Sequence, residues 1–200
     1  MIIPCLLVTP VTDALIAVCA DRISTLDVVD RAFVEAGPSP RRQALRIAQL
    51  ELVRKSVQLF GLTDAEASLF SDENGRPCFP PSIPLHLSVS HCDDALAVAI
   101  SCSPIGVDIE RLRTMPRRPM DQLFSPAELA GITDDESFTR AWVRKEAYAK
   151  WLGTGLRDEL ASGDFQTETE TRNLKLASEK LYLGLAGEGC SAAQVHTLLL

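Results

Sequence analysis

A surplus of basic charge is missing from this chain: Lys and Arg number 20 against 27 Asp and Glu, a formal net charge of −7. That balance excludes a protein built to coat the phosphate backbone of DNA or RNA, since such binding rests on many neutralised phosphates. Any polyanion it holds must be small and held locally. Paired cysteines are missing as well. Cys5, Cys19, Cys78, Cys92, Cys102 and Cys190 fall at no regular spacing and include no C-x-x-C, so neither a zinc cluster nor a disulfide framework is written in them. Buried reduced thiols in a cytoplasmic protein are the expectation. No segment reaches the apolar length of about 20 residues needed to span a bilayer. The N-terminal apolar stretch has no basic region before it and is interrupted by Pro10 and Asp13, so it does not read as a leader. Internal repeats are absent too. What is present is 46% hydrophobic and 24% charged residues over 200 positions, the profile of one folded domain or two small fused halves, which excludes disorder, collagen and coiled coil.

The patterning predicts helices and short strands in alternation. Residues 2–8 form a strand-like apolar run, and 14–19 form a second that also suits a helix. After Gly37-Pro38-Ser39-Pro40, residues 41–62 carry Leu45, Ala48, Leu52 and Leu59 near helical spacing, with Gly61 as the stop. Residues 73–77 are turn-like, and the prolines at 80, 81 and 84 prolong the irregular stretch. Residues 85–90 alternate apolar and polar up to His91, and 95–101 and 105–110 follow as further strands, an expected antiparallel three-strand meander. Ser125 and Pro126 suit the N-cap and first position of a helix. A helical pattern over 135–151 ends at Gly153-Thr154-Gly155, and 181–185 reads as the last strand. Helix-then-strands occurs twice, which points to two similar halves meeting near Ser103.

Four groups of side chains could carry chemistry. On a strand, residues two apart share a face, so Asp108 and Glu110 look out together while Ile105, Val107 and Ile109 face a core. Two neighbouring carboxylates repel unless a cation lies between them, and hard oxygen ligands of this kind suit Mg²⁺; a solvated strand edge is the alternative. Phe138, Trp142, Glu146 and Lys150 recur every four residues and stack along one helical stripe, either as part of a site or as an exposed ion pair beside buried aromatics. His91, after Ser90 at a strand end, could donate to a phosphate oxygen or be structural. Arg76, in the Gly75-Arg76-Pro77 turn, offers a planar fork suited to phosphate or a plain surface charge.

The strings Gly106-Val107-Asp108-Ile109-Glu110 and Trp142 to Lys150 (WVRKEAYAK), then Gly153-Thr154-Gly155-Leu156, closely resemble the G-[VI]-D-[IV]-E and W-x-x-K-E-[AS]-x-x-K signatures of the 4′-phosphopantetheinyl transferase superfamily. The segment Phe124 to Glu128, the string Ser88-Val89-Ser90-His91 and the Gly75-Arg76-Pro77 turn add to the resemblance, which covers roughly residues 40 to 156 in the family's order. The upstream motifs and the chain length favour the Sfp-type branch of monomers over the short trimeric carrier-protein synthases.

The resemblance implies an α+β fold of two pseudo-symmetric halves, each a helix packed on a small mainly antiparallel sheet. Residues 1–103 would contact coenzyme A phosphates, and 104–200 would hold the metal and catalytic residues. It implies a Mg²⁺-dependent transfer of 4′-phosphopantetheine from coenzyme A to a serine of an apo acyl or peptidyl carrier protein, with adenosine 3′,5′-bisphosphate released. Carriers of this kind serve fatty acid, polyketide and nonribosomal peptide synthesis. Asp108, Glu110 and Glu146 would be the metal ligands, and Glu146 the general base with Glu128 as competitor. Lys150 would contact the pyrophosphate, Ser90 and His91 would hold coenzyme A phosphates, and Arg76 would lie along the nucleotide. Arg42 is the choice for the 3′-phosphate among Arg31, Arg41, Arg42 and Arg46. Ser88 replaces the family's usual asparagine. The basic loop of Arg111, Arg113, Arg117 and Arg118 would steer an acidic carrier protein. No nucleic acid or membrane partner is expected. The competing readings are a catalytically weak coenzyme A-binding homologue acting as a regulatory or scaffold module, and a metal-dependent phosphohydrolase.

Overall fold

A computed structural model describes residues 4–73, 75–117, 120–153, 169–176, 179–198 and 200. Strand β1 (Cys5–Pro10) is followed by helix α1 (Asp13–Asp21), so the second apolar run is helical. Thr12 caps it by accepting from the Leu15 amide at 3.1 Å, and Asp13 in the first turn suits the positive end of the helix. Helix α2 (Val28–Glu35) begins at the cap Asp27 and was not legible as a separate element. Helix α3 (Pro40–Val57) has Ser39 as cap and Pro40 in its first turn. Gly61 ends the segment at φ 76°, a left-handed conformation that glycine adopts without a Cβ penalty.

A short hairpin, β2 (Phe70–Ser71) with β3 (Pro77–Cys78), precedes β4 (His86–His91), β5 (Ala95–Ser101) and β6 (Ile105–Glu110). Helices α4 (Pro126–Ala130) and α5 (Asp135–Leu152) follow, then β7 (Thr169–Leu176), β8 (Glu179–Gly187) and β9 (Gln194–Thr197). The first sheet runs β4-β5-β1-β9 and the second β6-β8-β7. The expected three-strand meander is therefore wrong: β4 and β5 pair, but β6 pairs with β8.

Side-chain size explains the departure. In β5 the small Ala95, Ala97 and Ala99 point to one side and Leu96, Val98 and Ile100 to the other. The large set packs against α1 and α3. The small set leaves room for Ile105, Val107 and Ile109 of β6 and Leu181, Leu183 and Leu185 of β8, so the two sheets stack face to face. At the seam the Val107 amide donates to Ser88 Oγ at 3.0 Å, a hydroxyl serving where a ladder carbonyl would otherwise accept.

The result is a helix–sheet–sheet–helix stack, with an 18-residue helix on each outer face. Strand β8 is not the last, because β9 pairs in parallel with β1 and adds an edge to the first sheet. Gly106 and Gly184 let α5 settle closely on the second sheet: a Cβ on Gly106 would lie 1.9 Å from the Ala147 carbonyl oxygen, and one on Gly184 2.1 Å from that of Val143.

Candidate active site

The alternation of β6 turns Asp108 and Glu110 to the face that carries Gly106, and hence to α5. Lys150 of α5 donates through Nζ to Asp108 Oδ1 at 2.8 Å and to the Val107 carbonyl at 3.0 Å. Ser90 Oγ donates to the same Oδ1 at 2.6 Å. The other oxygen, Oδ2, is buried with no hydrogen-bond partner among the described residues. Glu110 accepts from Arg113 Nη1 at 2.7 Å, and that guanidinium lies 4.6 Å from the centroid of the Trp142 ring.

Burial raises the Glu146 carboxyl above the usual carboxylate range, and the charges of Asp108 and then Glu110 add to it, while Lys150 and Arg113 oppose. Glu110 is raised in the same way, by burial first and Asp108 second, against Arg113 and Lys150. Glu146 thus feels the charges of both β6 acids, and Glu110 that of Asp108. The three acids do not close into a compact cage: among the described residues no group of three or more His, Cys, Asp or Glu is gathered to hold a metal ion. Lys150 and Arg113 occupy Asp108 and Glu110 instead. The donor set nonetheless fits a hard divalent cation, because it consists of carboxylate oxygens, one of them buried and unpartnered, held together against mutual repulsion.

Among the described residues, three cavities bear on the residues expected to contact phosphate, and of these the second is lined by one of the acids, Glu110. One of about 300 Å³ is walled by Arg42, Arg46, Ser90 and His91 over apolar Phe33 and Leu45. A second, about 390 Å³, shares Arg42 and His91 and reaches Arg41, Glu110 and Arg111. The third, about 310 Å³, lies between Arg76, Ser88 and Lys150. Arg76 is fixed there by Asp72, at 2.9 Å, and by the Gly153 carbonyl at the end of α5, at 3.1 Å. Arg41 reaches the Asp93 carbonyl, whereas Arg31 turns away to the carbonyls of Ser24 and Leu26.

His91 Nε2 contacts Arg42 Nη1. A guanidinium only donates, so this contact favours the neutral ring with Nε2 as acceptor. Burial, then the Arg42 charge, then those of Lys150 and Arg41, hold its pKa below the ordinary 6.5. Arg42→Gln is expected to move the His91 titration upward toward that ordinary value, read from its ring-proton shifts by NMR. An unmoved midpoint would show that burial alone sets it.

Glu128 is placed elsewhere. Its Oε2 accepts from the Ser125 amide at 2.8 Å in a capping box and from Lys145 Nζ at 2.7 Å, with Lys145 2% exposed. This buried ion pair, beside Phe124, fastens α4 to α5. Phe138 packs between Phe124 and Trp142, with both ring separations 6.1 Å, so Phe138 is core, while half-buried Trp142 carries Arg113 toward the acids. The roles of Lys145 and Arg113 escaped the sequence reading; the lysine directly before Glu146 was the available signal for the first. In the basic loop, Arg111 is paired with Asp94 and Arg113 with Glu110, and Arg117 is exposed. Arg118 and Thr154 to Leu156 lie outside the described residues.

Across the α+β stack, side-chain cations meet the acids of β6: Lys150 holds Asp108 and Arg113 holds Glu110. Residues 104–193 match the family model described as the 4′-phosphopantetheinyl transferase superfamily. Over 112 residues the chain is 30% identical to the 4′-phosphopantetheinyl transferase Sfp of Bacillus subtilis (strain 168), covering 52% of this chain and 50% of that protein. It is 37% identical over 90 residues to the transferase AcpT of Escherichia coli (strain K12), 40% of this chain and 46% of the other. It is 32% identical over 124 residues to pptA of Paxillus involutus, 48% and 47% respectively. The chain spans about half the length of the curated relatives it matches. The resemblance read from the motifs is thus met by an independent match to the family model over residues 104–193.

Proposed function

We propose that the chain transfers the 4′-phosphopantetheine arm of coenzyme A to a serine of an apo acyl or peptidyl carrier protein. One observation carries this reading: Asp108, Glu110 and Glu146, from a strand and a facing helix, are held within reach of each other's charge beside Lys150. Such mutual repulsion is costly unless a cationic ligand relieves it, and it disfavours the coenzyme A-binding scaffold as the alternative. A divalent cation bound by these three carboxylates would supply charge neutralisation at the pyrophosphate.

The chain's own residues account for the rest. Glu146, its carboxyl raised by burial, is the group suited to accept the proton of the acceptor serine. Glu128 is less suited, being committed to Lys145 and Ser125. Lys150, on leaving Asp108 for the pyrophosphate, would balance charge on the departing phosphate. Neutral His91, with Arg42 and Arg46, lines the basic cavity that suits the nucleotide phosphates, and Arg76 flanks the cavity beside Lys150. Carrier docking rests on Arg117 and its neighbours more than on Arg111, which already has a partner in Asp94.

Mass spectrometry tests the reading. Incubated with an apo carrier protein, coenzyme A and Mg²⁺, the protein should add the phosphopantetheine mass to the carrier. Coenzyme A consumed with an unmodified carrier would instead indicate hydrolysis, and no turnover with tight coenzyme A binding would favour the scaffold.

A further inference from the structure

Glu110 and Asp108 are each already held by a side-chain cation, but the two cations differ in how they are fixed. Lys150 is bonded to both a carboxylate and a backbone carbonyl of β6. Arg113 has a side-chain relative exposure of 42%, and its guanidinium is shared between Glu110 Oε1, 2.7 Å away, and the Trp142 ring. Its backbone, by contrast, is pinned to α5: the Arg113 amide donates to Thr139 Oγ1 and the Met115 amide to Asp135 Oδ1, both at 2.9 Å. A partly exposed cationic head on an anchored stem therefore covers one of the three acids, while buried Asp108 Oδ2 has no hydrogen-bond partner among the described residues.

We propose that Arg113 is a positioning residue that occupies Glu110 as a displaceable internal cation, yielding it when a divalent cation binds and shifting over the Trp142 ring as it does so. The inference rests on the metal reading of Asp108, Glu110 and Glu146 given above. No covalent step is involved; one cation exchanges for another. Because the Arg113–Glu110 pair is partly exposed, the competition it offers is modest. Trp142 sits under the moving group, and Trp151 is the other tryptophan of the chain, so Trp151→Phe leaves Trp142 as the sole indole reporter.

The test is titration of the full chain with Mg²⁺ alone, without coenzyme A or carrier, by calorimetry and by Trp142 fluorescence in the Trp151→Phe background. Arg113→Gln is expected to bind Mg²⁺ about two- to fivefold more tightly, the range an exposed ion pair corresponds to. Arg113→Lys, which keeps the charge, should stay near the unsubstituted protein. Trp142 emission should change on metal addition and change less in Arg113→Gln. Unchanged or weaker affinity in Arg113→Gln, with binding intact in the parent, overturns the inference and leaves the metal reading standing. A metal titration that leaves Trp142 emission unmoved also overturns it. Absence of Mg²⁺ binding in the parent overturns the metal reading and this inference together.

Discussion

Glu146→Gln should lower single-turnover transfer to a carrier serine by about a hundredfold to ten-thousandfold, the range that a positioned general base contributes, while the fold stays intact. The substitution removes the proton acceptor and one of three acidic oxygen donors but keeps side-chain size on a half-buried stretch of α5. The partner experiment separates the two candidate bases. Glu128→Gln removes the counter-charge of Lys145, which is 2% exposed, and breaking a buried pair of this kind costs about 3–5 kcal/mol. It should lower the melting temperature markedly while the rate constant of the surviving folded fraction stays close to that of the parent. The reverse outcome, an inert but stable Glu128→Gln with an active Glu146→Gln, would transfer the base to Glu128.

Gly106→Ala should be among the most damaging single-methyl changes in the chain. The added Cβ would lie 1.9 Å from the Ala147 carbonyl oxygen and 2.7 Å from the Trp151 amide nitrogen. Both neighbours are backbone, so neither can swing aside as a side-chain end could. Overpacking in a well-filled interior costs about 1–3 kcal/mol and at times more; a clash with helix backbone belongs at the top of that range. For a chain of this length, about 3 kcal/mol corresponds to roughly 6–12 °C in Tm. The same displacement of α5 would carry Glu146 and Lys150 away from Asp108, so residual activity should fall further than the folded fraction. Gly131→Ala is the control, since a Cβ there meets Glu128 O at 3.5 Å, an ordinary contact. Equal melting temperatures for Gly106→Ala and the parent would mean that α5 does not pack on β6 as closely as described.

The sequence was most readable where a local rule decides the outcome. Turn residues at 93–94 and Pro104 placed β5 and β6 at their observed limits, and Gly61 and Gly153 stop helical segments in left-handed conformations at φ 76° and 73°. Spacing also put Asp108 with Glu110 on one strand face and Glu146 with Lys150 on one helix face. Local rules failed where two states fit the same letters: Ala14 to Cys19 suits either element, and its Thr12 cap selected the helix. They failed again on β7, whose polar sequence looks like a tail until it pairs with β8 along its length.

By itself, then, the chain determined most of its element types, the faces on which the acids lie and the motifs through which residues 104–193 match a family model, because periodicity and capping act within a few residues. Only the tertiary structure decided that β6 leaves β4 and β5 for β8, that Glu128 is spent on Lys145, and that Arg113 and Lys150 hold two of the three acids. Those outcomes depend on which side chains fit between two stacked sheets and which charges meet across the fold. Neither quantity is a function of spacing along the chain.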